Sequence, residues 1–194
     1  LAKLETLETG KNIHDAEKEI LHSAKIWLYA SKFVKNNSFI EKLSKNHKAF
    51  VNFEPVGIVA LIVPWNFPFV VMSERLPFII AAGNSVIIKP SEYASRSLIY
   101  LMSIIKKVTL PIGIVNLVTG SGPKAGSLLT NNKDINMISF TGSTLVGKKI
   151  MKNSAKKIKR LSLELGGKNS FIVLSDANIN KTINIIINSF TGNA

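Results

Sequence analysis

Cysteine is absent from the 194 residues. That excludes a disulfide framework and any thiolate metal site, and it fits a cytoplasmic setting. Arginine is scarce: Arg75, Arg96 and Arg160 are the only ones, although Lys and Arg number 25 against 12 Asp and Glu, for a formal net charge of +13. Proteins that read base edges or phosphates lean on the bidentate Arg fork. A lysine excess accompanied by many Asn and Ile residues therefore fits a codon-composition bias better than a nucleic-acid partner. The densest basic run, KKIMKNSAKKIKR up to Arg160, reads as a solvated helix face and the loop after it. A membrane-spanning run is missing too. The longest apolar stretch, VGIVALIV at 56–63, meets Pro64, Asn66 and Pro68 well short of the roughly 20 residues a spanning helix needs, so no membrane partner is expected. No secretory leader is expected from the acidic–basic, helix-patterned start. The first residue is Leu1 and not Met, so the chain is expected to be a piece of a longer product. His14, His22 and His47 share no ligand-like spacing, and no metal site is expected.

Hydrophobic residues make up 46% and charged residues 19%, which marks a globular chain with one substantial core, or one domain plus part of another. Ile13, Ala16, Ile20, Ala24, Trp27, Ser31 and Val34 recur at steps of three and four, which predicts an amphipathic helix to about residue 35. Residues 36–54 lose that period and read as an irregular or hairpin-like connection. From Pro55 the pattern changes. VGIVALIV is apolar throughout, as a strand buried on both faces of a parallel sheet requires. A helix is predicted over about 69–82, a turn at Gly83-Asn84, a strand at SVIIK and a helix over about 94–107. Strands at GIVNLV (113–118) and INMISF (135–140), the latter followed by a helix, and strands at KRLSLEL and NSFIVL (169–174) complete the series. Alternating strands and helices of this length imply a doubly wound, Rossmann-like α/β sheet with right-handed crossovers.

Ligands in such sheets bind beyond the carboxyl ends of the strands. The loops there are PWNFP (64–68), KPSE (89–92), TGSGPKAG (119–126) and FTGSTLVG (140–147), all rich in Gly, Pro, Ser or Asn. Glycine lets the backbone approach a ligand, and free N–H groups at a helix start favour a phosphate. Each loop alone is weak evidence; Gly122-Pro123, for one, also suits a turn with proline at the first helical position. Four such loops in the right topological place point to a dinucleotide site.

PWNFP, IIKPSE, GSGPKAG, SFTGSTLVG and LELGGKNSFIV, in this order and spacing, resemble the NAD(P)-dependent aldehyde dehydrogenase superfamily, from LETLETGK near the start to the last residue. The resemblance implies a cofactor-binding domain with a helical part at 1–35, a bridging, oligomerisation-like segment at 36–54, a Rossmann-like NAD-binding part at 55–167 and the start of a catalytic domain at 168–194. It assigns cofactor contacts to Ile62, Pro64, Trp65, Lys89, Glu92, Gly122, Pro123, Gly126, Phe140, Gly142, Ser143 and Leu165. Glu92 would accept from the ribose hydroxyls and repel a 2′-phosphate, favouring NAD over NADP; that Ser91 or Glu92 merely caps the next helix is the plainer reading. A structural role for Ile62 and Trp65 is equally open.

The same resemblance makes Asn66 the amide donor to an oxyanion and Glu164 the general base. Asn66 could instead stabilise a turn between prolines, and Glu164 could pair with a nearby lysine. The leucines around Glu164 suggest burial and a raised pKa. Family chemistry then runs as follows: a cysteine thiolate attacks an aldehyde, hydride passes to the nicotinamide, and water activated by Glu164 releases the acid. Here the sequence departs from the family. The family's nucleophile lies in a Gly-Gln-x-Cys segment after a stretch like SFTGNA (189–194), where this chain stops. The intact parent is expected to be a cytoplasmic homo-oligomer acting on an aldehyde. The chain itself is expected to be a fragment, inactive alone; a decayed relic or stand-alone nucleotide-binding module is the other reading.

Overall fold

The computed structural model describes residues 1–33 and 38–191. Two helices open the chain, α1 (Ala2–Thr9) and α2 (Ile13–Ala30). Gly10 ends α1 in the left-handed region at φ 77°, and Asn12 caps α2 by accepting the His14 N–H at 2.8 Å. A 3-10 turn, Ser31–Phe33, follows; the predicted helical positions Val34 and Lys35 lie outside the described residues.

The connection expected to be hairpin-like is an antiparallel hairpin of β1 (Phe39–Lys42) and β2 (Lys48–Val51), with Phe39 opposite Val51. Next comes a five-stranded, all-parallel sheet of β3 (Ile58–Ile62), β4 (Ser85–Lys89), β5 (Val115–Leu117), β6 (Met137–Gly142) and β7 (Arg160–Leu165). Its spatial order is β5-β4-β3-β6-β7. From β3 the chain therefore builds outward to β5, then returns to lay β6 and β7 on the other side. The reversal lies between β3 and β6, where doubly wound sheets open a crevice.

The continuous apolar run in β3 is explained by helices on both faces. Leu61 and Val63 enter one core with Phe69, Met72 and Leu76 from α3 (Pro68–Ser73) and α4 (Leu76–Ala81), and Leu98 and Leu101 from α5 (Arg96–Ile105). Ala60 and Ile62 enter the other with Leu129 of α6 (Ser127–Asn131), Ile138 and Phe140 of β6, and Ile150 of α7 (Thr144–Ala155). Burying each large apolar side chain stabilises by about 1.5–3 kcal/mol, so both cores hold the sheet against its helices. At the entry to β3, Gly57 has φ 118°, and a Cβ there would collide with Asn136, whose Oδ1 takes the Ile58 N–H at 2.8 Å. That bond ties β3 to the segment leading into β6.

Two expectations need correction. The single helix predicted over 69–82 is broken into α3 and α4, because Pro77 lacks the N–H that would continue the ladder. Residues 169–174 form no strand. They follow the edge strand β7, which pairs only with β6, and no described strand offers them a ladder for their N–H and C=O groups. Phe171, Ile172, Val173 and Leu174 face solvent instead, as does much of the terminal helix α8 (Ile179–Thr191).

Candidate functional site

The loops after β3, β4, β5 and β6 converge at the carboxyl edge of the sheet. Between the loop after β5 and α7 lies a cleft of about 390 Å³. Six residues singled out from the sequence line it: Ile62, Lys89, Gly122, Pro123, Gly126 and Phe140. Ile62, at the end of β3, and Phe140, within β6, are register partners, which places both side chains on one face beneath the cleft.

Gly122–Gly126 wind into a single π-type turn that runs straight into α6, with Pro123 at its start. Gly126 sits against the Lys89 stem; a Cβ there would meet it at 3.7 Å. Lys89 is buried at the end of β4. Its Nζ donates to the Pro90 carbonyl at 2.7 Å and lies 3.7 Å from Glu92 Oε2. Burial lowers the Lys89 pKa, and the Glu92 carboxylate opposes that shift. Glu92 Oε1 in turn takes the Gly122 N–H at 3.3 Å. Its own backbone N–H, then that of Gly122, and the Lys89 ammonium hold the Glu92 carboxyl below its ordinary value, with modest burial acting the other way. The plainer reading of Glu92 as a helix cap is not what is found. The N–H groups of Ser95 and Arg96 that open α5 are taken by Glu8, which reaches across from α1 at 3.2 and 2.8 Å.

Ser143 caps α7 by accepting the Val146 N–H at 3.3 Å. Neither it nor Gly142 lines the cleft. The contribution of Gly142 is steric. A Cβ there would stand 2.5 Å from the Phe140 ring, so only glycine leaves that ring where it floors the cleft. Leu165 likewise packs under α7, 2.5 Å from where a Cβ on Gly147 would be. Pro64 and Asn66 are half-buried, and Trp65 is 57% exposed in the same loop.

Glu164 departs from expectation. It sits near the carboxyl end of β7, opposite Thr141, but its side chain is 63% exposed. Along a strand successive side chains alternate in direction, so Leu163 and Leu165 point to the other face and do not bury it. Its ionic neighbour is no lysine but Arg75, whose Nη2 lies 3.6 Å from Glu164 Oε1. Arg75 stands at the start of α4, so this contact links β7 to the segment that follows the Asn66 loop.

Six lining residues escape a reading of the sequence: Ser127 and Thr130 of α6, and Val146, Lys149, Ile150 and Asn153 of α7. The last four recur at i, i+3, i+4 and i+7 along α7, and that period is a usable signal. It is obscured because the surrounding KKIMKN run reads as a solvated face. A dinucleotide suits this donor set: an apolar floor, a slot walled by glycines and proline, and an anchored carboxylate beside a buried ammonium. Among the described residues no cluster of His, Asp and Glu could hold a metal ion, and no helix is long and apolar enough to cross a membrane.

Comparison with known proteins gives a consistent result. The family model that matches is that of the aldehyde dehydrogenase family, over residues 1–194. The NADP/NAD-dependent aldehyde dehydrogenase PuuC of Escherichia coli is 44% identical over 179 residues, covering 91% of this chain and 36% of that protein. Among solved structures, an NAD-dependent aldehyde dehydrogenase from Sinorhizobium meliloti superposes with a TM-score of 0.92 at 39% identity, covering 97% of this chain and 38% of that one. The NAD+ complex of an aldehyde dehydrogenase from Bacillus cereus gives 0.91 at 39% identity, covering 94% and 38%. The chain thus spans little more than a third of the length of these relatives.

Proposed function

The chain belongs to the aldehyde dehydrogenase family, and from that premise we propose that its sheet and cleft are the NAD-binding part of an enzyme that oxidises an aldehyde to a carboxylic acid. The observation that carries this reading is the chain of contacts from Lys89 to Glu92 to the Gly122 N–H at the mouth of a cleft floored by Ile62 and Phe140. Residues 55–167 would form the cofactor-binding part, with 1–35 as its helical flank, 36–54 as a bridging segment between subunits and 168–194 as the beginning of a catalytic domain.

Glu92 would accept from the adenosine ribose hydroxyls, with its carboxylate held in place by Lys89. A 2′-phosphate would meet that carboxylate as a like charge, so NAD is favoured over NADP. Pro123 and Gly126 would face the adenine end, while Gly142, Ser143 and the start of α7 lie toward the phosphates. Pro64, Trp65 and Leu165 would border the rest of the cofactor. Bound NAD would supply the hydride acceptor.

Asn66 would donate its amide to the oxyanion that forms when a nucleophile adds to the aldehyde carbon, a fixed neutral donor where charge develops. Glu164 would take the proton, from a thiol or from water. Its exposure supports a mobile carboxylate, and the flanking Gly166 and Gly167 leave room for movement. The 194 residues hold no thiol, so this polypeptide alone is expected to make no NADH from any aldehyde. The intact parent would be a cytoplasmic homo-oligomer.

Titration calorimetry tests the reading. The folded chain should bind NAD, and bind NADP more weakly. A demonstrably folded sample that takes up neither nucleotide contradicts it.

A further inference from the structure

We propose that Lys11, held between Glu5 and Glu19, is a positioning residue for the loop that carries Asn66. Lys11 lies in the link between α1 and α2 and is buried. Its ammonium donates to Glu19 Oε2 at 2.6 Å and lies 4.0 Å from Glu5 Oε2. The same ammonium stands 4.4 Å from the centroid of the Phe67 ring. A desolvated cation at that distance is attracted to the ring's quadrupole. Phe67 follows Asn66 directly and precedes Pro68, the first residue of α3. The position of this ring therefore sets where the Asn66 backbone enters the helix.

Packing alone does not account for the cluster. Two carboxylates and an ammonium lose most of their hydration here, and apolar residues of similar volume often serve as well. Hydrogen bonding offsets part of the loss, through the bond from Lys11 to Glu19 and the Ser97 hydroxyl and Phe69 backbone that face Glu5. What a buried ammonium offers, and a leucine does not, is a directional hold on an aromatic face.

Glu5, from α1, has Lys11 and Glu19 beside it, and Ser97 of α5 and the Phe69 backbone of α3 face its carboxyl. Burial, helped by Glu19, raises its pKa against the pull of Ser97, Lys11 and Phe69.

The inference rests on reading Asn66 as an oxyanion donor, but its test needs neither aldehyde nor cofactor and fails independently of the NAD titration. The chain has two tryptophans, Trp65 in the loop and Trp27, whose indole donates to Ser73 Oγ at 3.2 Å. Labelled with 5-fluorotryptophan, it gives two fluorine resonances, assigned by Trp65→Phe. Lys11→Met should shift the Trp65 resonance by more than its linewidth and leave that of Trp27 in place, and Lys11→Arg, which keeps a cation over the ring, should restore it. Glu19→Gln, which loosens the ammonium without removing it, should shift the same resonance in the same direction by less, and it decides the matter if Lys11→Met does not fold. A Trp65 resonance unmoved in folded Lys11→Met or Glu19→Gln protein, or moved equally by Lys11→Arg, overturns the proposal.

Discussion

The ammonium of Lys89 lies 3.7 Å from the carboxylate of Glu92. Because Glu92 also takes the Gly122 N–H, the pair ties the end of β4 to the π-type turn that forms one wall of the cleft. A buried cation, a partly exposed anion and a backbone amide are thereby fixed before any ligand arrives. Such preorganisation would suit the ribose contact proposed for Glu92.

Replacing Glu92 by Gln keeps the shape and removes the charge. A charged hydrogen bond is worth about 1.5–3 kcal/mol, so NAD affinity should fall about tenfold or more. NADP should lose less, because the like charge facing its 2′-phosphate is gone. Calorimetric titration of both nucleotides against both proteins measures the change in ratio.

Gly142 and Gly147 both lack room for a Cβ, but the outcomes should differ. Alanine at 142 would press on the ring of Phe140, which is buried and stiff, so Gly142→Ala should cost about 1–3 kcal/mol and weaken NAD binding. Alanine at 147 meets the far end of the Leu165 side chain, which is 38% exposed and can move, so its cost should be under about 1 kcal/mol. Urea denaturation of the two variants makes the comparison.

The contact between Arg75 and Glu164 should contribute little to stability. Its 3.6 Å separation and the exposure of Glu164 make it a surface ion pair. Arg75→Gln and Glu164→Gln should each shift unfolding free energy by no more than about 0.5–1 kcal/mol and leave NAD affinity unchanged. Thermal melts and calorimetry check both outcomes.

The sheet is readable in the sequence because its central strand, β3, lies in an uninterrupted apolar run, a pattern that burial on both faces explains, and because the other strands are short apolar-rich segments set off by Gly, Pro and Asn. The loops are readable for the same reason: their punctuation stands out against those runs. Glu164 misleads because leucine neighbours in sequence are not neighbours in space on a strand, where they point to the opposite face. Residues 169–174 have strand composition, yet a strand also needs a partner, and composition carries no information about that. The α7 wall is hidden by lysines interleaved with its apolar period. Glu8 capping α5 depends on two helices separated by more than 80 residues in sequence, and no local pattern announces it.

Buried Glu5 should leave a signature in stability against pH. Its folded-state pKa is raised above the ordinary 4.5, so the folded chain binds more protons than the unfolded chain just above that pH. Stability contributed at this site is therefore highest in acid and falls as pH rises from about 4.5 through the raised value, then levels off. Glu92, shifted downward, acts in the opposite sense, with stability lost as pH falls through its folded pKa. Comparing wild type with Glu5→Gln isolates the first effect: wild type should lose stability relative to the variant as pH rises. A difference independent of pH would contradict the assignment.

The most direct test of the cleft is amide NMR of the chain titrated with NAD. Saturable shifts should concentrate at Gly122, Gly126, Val146 and Asn153, on the two walls, and at Phe140 on the floor. Shifts confined to the β1–β2 hairpin or to the α2–α5 face, or no shifts in a folded sample, would contradict the claim that this edge of the sheet is the dinucleotide site.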